Sequence, residues 1–454
     1  MDHAAPKGAG RAHFSGYYNR PLADDDDHLT HVGPGTPCGE YLRRYWHPFL
    51  VASELRDLPR TVRLLGEDLV VFRDWSGRLG LLHRQCAHRG ASLEFGLIGE
   101  RGIRCCYHGW HFDVDGTIIE TPAEPPGSRL RDNFVQGAYR VVEAHGLLFA
   151  YMGPPEHEPE FPLPDTVSWP ADNTLMPFQM RLPCNWLQIV ENGCDPMHTA
   201  FLHAIMSDGQ FSPTFKMVPQ VDFPETPLGF LSMATRKVGD FVFIRASDIG
   251  LPNFGQFPNG GNMLEREGFA VRPYFTRWAV PVDDTHSFYI GYAHLNTYNN
   301  WDGKLDPRDY GLDKVPFLGQ TADRPYPERQ RQPGDYDAVS SQGAIANRKA
   351  EHLGAADRGI VMFRRLLARA IEATLKYDTP DKPRRYADGR VRTYVHETVV
   401  RVPAGVDLDD PKALADFGRR AAEVFVATGE LPPPEREREC ELRIRALLGP
   451  EKVA

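Results

Sequence analysis

The stretch CAHRGASLEFGLIGERGIRCCYHGW, residues 86–110, decides how this chain reads. It holds Cys86-x-His88, sixteen intervening residues, then Cys105-x-x-His108. Each pair sets one thiol and one imidazole together on a tight turn. Two thiolates on one iron and two imidazoles on the other are the ligand set of a Rieske-type [2Fe–2S] centre, in which imidazole in place of thiolate raises the reduction potential. Gly90 and Gly109 follow the two turns directly, where a backbone able to take positive φ is needed. The chain has 7 cysteines and 17 histidines. One Cys-x-His pair would then arise by chance in about one such chain in four, but two such pairs at this spacing would not. A four-ligand zinc site uses the same residue types, although the spacing follows no common finger. Cys105 is the expected ligand because it completes the Cys-x-x-His spacing, which leaves Cys106 as a buried bystander.

A second constellation lies in NWLQIVENGCDPMHTAFLH, residues 185–203. Asp195, His198 and His203 form D-x-x-H-x-x-x-x-H. Two histidines and one carboxylate on one face of an iron leave positions open for O₂ and substrate. On a straight helix, residues five apart point about 140° away from each other. Convergence of His198 and His203 therefore requires a π-type distortion or a frayed helix end. Without that, the motif is a helix with two surface histidines. The third ligand is expected far downstream, at Asp335 or Asp337 in RQPGDYDAVSSQG, next to a helix starting near Gln342.

Around these motifs the chain divides into three. Residues 1–40 are polar and Gly/Pro-rich, with an acid run at Asp24–Asp27 that reads as a solvated loop. Residues 41–155 open with an amphipathic helix over Glu40–Leu50, and from Thr61 to Pro154 they read as a small all-β domain with tight turns. The Pro- and Glu-rich segment ending at Asp165 reads as a linker. Residues 156–454 mix helix and strand. Helices are expected over 185–204, 342–376 and 410–428, with a short charged helix after the Pro-rich break at 432–434; strands are expected over 241–246 and 287–295. The segments 240–254 and 272–284 are expected to line a pocket. Arg245, Arg272 and Arg277 either meet a substrate carboxylate there or pair with surface acids; Trp278 is expected in the core, and Trp110 at a contact between domains or subunits.

The net charge is −9, which argues against nucleic acid or an anionic membrane as partner. No apolar run approaches the ~20 residues of a membrane span. The opening MDHAAPKGAGRAHF is not a secretory signal, and an odd cysteine count does not suggest a disulfide framework. A cytoplasmic enzyme is the expectation.

With these residues in view, the chain resembles the oxygenase (α) subunits of Rieske non-haem iron aromatic-ring-hydroxylating oxygenases, in the phthalate dioxygenase-like and aromatic O-demethylase-like branch. The likeness runs through GPGTPCGEYLRRYWHP, CAHRG, CCYHGW, NWLQIVENGCDPMH and QGAIANRKAEHLGAADRGIVMFRR. It implies an α+β fold: an all-β Rieske domain beside a catalytic domain whose antiparallel sheet wraps around helices, of helix-grip type. By resemblance, Cys86, His88, Cys105 and His108 hold the [2Fe–2S] cluster. His198, His203 and Asp335 hold a mononuclear Fe(II), with Asp337 as lesser candidate for the carboxylate. Asp195 links an iron histidine to a cluster histidine of a neighbouring subunit, and Asn192 lies near the iron without ligating it strongly. Cys106 stands where the family commonly has proline. The resemblance further implies a homotrimer or hexamer and a flavin- and iron–sulfur-containing, NADH-dependent reductase as partner. The reaction implied is O₂-dependent ring hydroxylation of an aromatic, carboxylated small molecule, or alternatively O-demethylation releasing formaldehyde. An electron carrier with no oxygenase site is the reading of another class, and length and the second histidine pair weigh against it.

Overall fold

Between residues 60 and 151, short segments rich in Val, Leu and Phe form strands joined by turns. The structure, a computed structural model, describes residues 13–14, 27–207, 210–259, 267–300, 303–377 and 383–449. Asp24–Asp26 of the acid run, and most of the 1–40 segment, lie outside the described residues; Asp27 begins a short helix, Asp27–Thr30.

Among the described residues, one six-stranded antiparallel sheet runs in the order Trp46–Val51, Leu147–Tyr151, Ala138–Ala144, Leu79–His83, Glu67–Arg73, Arg60–Leu64. Its pleat sends successive side chains to opposite faces. Val70, Phe72 and Leu82 pack into a small core that also contains Cys86, Cys105 and Trp110. Leu69, Val71 and Leu81 point the other way, into the main core. A four-stranded sheet, Leu97–Ile98, Ile103–Arg104, His111–Phe112 and Ile118–Glu120, lies beyond that small core.

The helix expected over Glu40–Leu50 is displaced. Thr36 caps a helix at Pro37–Leu42, its Oγ1 accepting from the Gly39 amide at 3.2 Å. The chain then becomes the strand Trp46–Val51, all six residues buried. Its pairing with Leu147–Tyr151 outweighs a weak helical pattern, since local propensity yields to tertiary burial.

A nine-stranded sheet carries the rest. Its main path runs Thr174–Leu182, Ser287–Leu295, Phe275–Pro281, Phe254–Phe257, Phe241–Gly250, Gly229–Val238, Gln220–Asp222. His396–Arg401 pairs with both Phe241–Gly250 and Gly268–Ala270. The strands expected at 241–246 and 287–295 are both present. Along Phe241–Gly250, Val242, Ile244 and Ala246 face the core shared with the helices Pro411–Thr428 and Pro433–Leu448, while Arg245 and Ser247 face a cavity. Helix Trp186–Cys194 packs against the sheet and against helix Arg358–Tyr377, giving the expected α+β arrangement of a sheet around helices. Trp278 is in the core, as expected.

The helix expected over 342–376 starts only at Arg358. The polar groups of helix Trp186–Cys194 explain this. The Gln188 side chain donates to the carbonyls of Val339 and Gly343 and accepts from the Ala346 amide, and the Asn185 amide bonds the Ala344 carbonyl. Gly343, at φ +100°, turns the chain for this. Asp335 accordingly opens its own helix, Asp335–Ser340, rather than preceding one at Gln342. No helix among the described residues is long and apolar enough to cross a membrane.

Candidate metal centres and active-site cavity

The two Cys-His turns are built alike. The Gly90 amide bonds the Cys86 carbonyl at 2.9 Å, and the Gly109 amide bonds the Cys105 carbonyl at 3.1 Å. Each turn closes with Cys86 N to Ala91 O (2.9 Å) and Cys105 N to Trp110 O (2.8 Å). Gly90 and Gly109 take φ of +75° and +74°, where an L side chain is strained. Both thiols are 3 % exposed and neither is in a disulfide. Burial, and then the neighbouring Cys105 thiol, push Cys86 up to about 11. The rings of His88 and His108 lie 4.6 Å apart. Trp110 does not sit at a domain contact; it is buried in the small core and stacks on His88 at 4.6 Å and 3°. The His88 Nδ1 is buried without a hydrogen-bond partner. Two adjacent buried thiols and an orphaned imidazole nitrogen fit an iron–sulfur cluster with mixed ligands. Cys106, read in the sequence as a buried bystander, is exposed, whereas Cys105 is buried.

The second site turns on an irregular helix. Trp186–Cys194 is capped by Asn185, whose Oδ1 accepts from the Leu187 amide at 3.1 Å. It stops at Asp195-Pro196. The chain resumes as one α-turn, His198–Ala200, and then as a π-helix, Phe201–Met206. The expected wide turn is therefore present, in place of one continuous helix over 185–204, and it brings both rings to one side. The Nε2 atoms of His198 and His203 stand 3.7 Å and 3.2 Å from Asp335 Oδ1. Ligand atoms of all three lie within 4.8 Å of one another, a spacing that suits a single ion. Two imidazoles and one carboxylate suit ferrous iron. Asp337 is turned away; it pairs with Arg329 at 2.6 Å and Arg324 at 3.4 Å.

Uncharged groups hold each of these three side chains. His198 Nδ1 meets the Asp195 carbonyl at 2.5 Å. The Asp195 carboxylate accepts from the amides of Met197 (2.7 Å) and His198 (3.3 Å) and stays 3.7 Å from His198 Nδ1. Asp335 accepts from Asn192 Nδ2 at 3.1 Å and Gln320 Nε2 at 2.8 Å. His203 Nδ1 meets Gln210 Oε1 at 2.6 Å. Burial opposes ionisation of Asp335, but the two imidazoles and Gln320 outweigh it and hold the carboxyl well below the usual range. For His198 likewise, Asp195 and Asp335 outweigh burial and raise the imidazole. Sequence reasoning missed Gln210 and Gln320. A lone glutamine carries no spacing signal, and both act through contacts made only in the fold.

The description Rieske [2Fe-2S] domain matches residues 45–142. The oxygenase subunit of tert-butanol monooxygenase / tert-amyl alcohol desaturase from Aquincola tertiaricarbonis is 47 % identical over 384 residues, covering 81 % of each chain. The chain belongs to the oxygenase subunits of the Rieske non-haem iron oxygenases. Phenoxybenzoate dioxygenase subunit alpha from Ectopseudomonas oleovorans is 38 % identical, over 79 % of this chain and 88 % of the other. The 5,5'-dehydrodivanillate O-demethylase oxygenase subunit from Sphingobium sp. (strain NBRC 103272 / SYK-6) is 36 % identical, over 79 % and 82 %.

In this Rieske oxygenase subunit the three clustered side chains line a cavity of about 720 Å³. It is also lined by Arg236, Arg245 and Arg277, from strands Gly229–Val238, Phe241–Gly250 and Phe275–Pro281. Arg277 is held between the rings of Phe257 (3.8 Å) and Tyr289 (4.0 Å), and its Nε is buried without a partner. The Nε of Arg245 and one terminal nitrogen of Arg236 are likewise unsatisfied. Burial pulls Arg277 to about 9 and Arg245 to about 10. Arg272, the third arginine flagged in the sequence, is not in this group. It lies in the loop after Gly268–Ala270 and pairs with Glu437 at 2.7 Å, on the helix Pro433–Leu448.

Proposed function

We propose that this subunit oxidises a carboxylated aromatic compound with O₂. The observation that carries the reading is the cavity itself: two imidazoles and a carboxylate converge in it, and it is also lined by Arg245 and Arg277, which form no salt bridge among the described residues and meet Asp335, and for Arg245 also Glu397, only at longer range. Buried cations normally find an anion; here a substrate carboxylate would be that anion, held by Arg277 and Arg245. The aromatic side chains Phe257, Phe275 and Phe317 also line the cavity; they would grip the ring and exclude water.

The ligand assignment is part of the proposal. Cys86, His88, Cys105 and His108 would hold the cluster, and His198, His203 and Asp335 the mononuclear iron, whose chemistry is to activate O₂. Asn192 would steady Asp335 through Oδ1, the oxygen that faces both imidazoles, while Gln320 holds Oδ2. Asp195 would orient His198 and, in a head-to-tail trimer or hexamer, hydrogen-bond His108 of the partner subunit. Two exposed apolar sets support such an assembly: Phe95, Leu97 and Tyr107 beside the cluster turns, and Phe201, Ile205 and Met206 on the iron-site helix. Apolar patches of this kind mark interaction surfaces. Domain boundaries at 40/41 and 155/156, a cytoplasmic location and an NADH-dependent flavin and iron–sulfur reductase complete the reading.

The test is a product screen with a surrogate reductase, NADH and O₂ on phthalate-like and methoxylated aromatic acids. A cis-dihydrodiol or phenol is the expected product. Trapped formaldehyde would instead establish O-demethylation, the reaction in the name of the 36 % identical relative. Turnover of a small tertiary alcohol with every aromatic acid inert would overturn the carboxylate reading; the 47 % identical relative is named for such alcohols.

A further inference from the structure

We propose that Gln210 is a positioning residue that fixes the tautomer of His203 and ties that histidine to the segment bearing Asp335. This rests on the reading above, in which His203 and Asp335 share a metal. The argument begins at a carbonyl. Pro333 C=O can only accept, and it accepts from Gln210 Nε2 at 3.1 Å and from the Ser207 hydroxyl. The amide of Gln210 is thereby oriented, since its NH₂ end must face Pro333 and its oxygen must face the other way. That oxygen lies 2.6 Å from His203 Nδ1. A carboxamide oxygen only accepts, so Nδ1 must carry the ring proton. The lone pair is left on Nε2, the atom 3.2 Å from Asp335 Oδ1.

The same side chain works at longer range. Pro333 is two residues before Asp335, whereas Gln210 is seven residues after His203. One amide therefore spans the two halves of the site. Phe211 at 4.4 Å and Phe317 at 5.6 Å pack on the ring without fixing its proton, and the only polar partner of Nδ1 among the described residues is Gln210. His198 differs, because its Nδ1 is held by the Asp195 main-chain carbonyl, which no side-chain substitution removes. The device is therefore breakable at Gln210 alone. Gln210 also carries no charge, so it leaves the site's electrostatics to Asp335 and the arginines.

The experiment compares wild type, Q210M, Q210A and Q210E as intact cluster-bearing chains. The visible absorption of the cluster certifies the fold, and ferrous iron at the mononuclear site is titrated against a competing chelator. Loss of an outer-shell partner typically weakens metal affinity 10–100-fold. Q210M and Q210A should weaken retention of this iron by roughly that factor with the cluster unchanged. The electron paramagnetic resonance signal of its nitric oxide adduct should also change in rhombicity. Q210E keeps an acceptor for Nδ1–H and should hold iron more tightly than Q210M. Wild-type affinity and an unaltered signal in Q210M would overturn the proposal. So would equal losses in Q210E and Q210M, or loss of the cluster together with the iron in both truncations. Failure of wild type to take up any iron beyond the cluster, with H203A no different, would instead overturn the underlying reading.

Discussion

The two candidate centres differ in how far apart in sequence their parts lie. The cluster turns are local. Cys86 to His108 spans one short stretch, each turn is closed by its own backbone, and glycine supplies the positive φ. The candidate iron site joins His198 and His203 to Asp335, 132 residues downstream of His203, and depends on a wide helical turn and on amides from three further segments. A locally encoded site stands or falls with its turn. An assembled site can lose its metal while the fold around it persists.

The sharpest way to break this contrast is to remove one ligand from each centre. Cys105→Ser should abolish the cluster's visible absorption and all turnover, and should lower thermal stability, because Cys105 belongs to the small core. His203→Ala should also abolish turnover but keep the cluster absorption and the melting temperature near wild type. Equal loss of cluster in both variants would show that the centres are not independent.

Asp195→Asn should retain both metals and slow turnover by roughly 10–100-fold, measured as product formed per fully metallated chain. A wild-type rate would remove Asp195 from the proposed link between centres. Comparable in size is the effect of Arg277→Met. A hydrogen bond to a charged group contributes about 1.5–3 kcal/mol, so KM for an aromatic carboxylate should rise roughly 10- to 150-fold with kcat little changed. An unchanged KM would take Arg277 out of substrate binding.

The smallest effect expected is one of pH. Glu397 is fully buried opposite Arg245 in the sheet register, and burial raises its carboxyl from 4.5 to about 8. The folded state thus holds this proton more tightly than the unfolded chain does. Its contribution to stability is complete below about 4.5 and is lost as pH rises through about 8. Glu397→Gln should remove that slope: melting temperatures should match wild type near pH 5 and exceed it above pH 8. Parallel profiles would exclude Glu397 as the group responsible.

Legibility from sequence follows the same division. The cluster turns, the strands at 241–246 and 287–295 and the wide turn at His203 could all be read from short-range spacing. Trp46–Val51 could not, because its strand character comes from a partner about a hundred residues away. Residues 342–357 mimic a helix in pattern, but Gln188 and Asn185 claim their backbone groups. Asp335 could be preferred to Asp337 only through resemblance; in the fold, Arg329 and Arg324 occupy Asp337. Arg272 and Arg277 look equivalent in sequence, and only the position of Glu437 separates them. Gln210 and Gln320 gave no signal, since nothing in their neighbours marks them.

The wide turn at Phe201–Met206 has a consequence for anyone transplanting this centre. Five-residue spacing converges only where the backbone is expanded; on a regular helix a spacing of four would do the same work. Grafting the pair unchanged into an ordinary helical scaffold should therefore yield a surface with two scattered imidazoles. The transferable unit is the pair together with its backbone expansion.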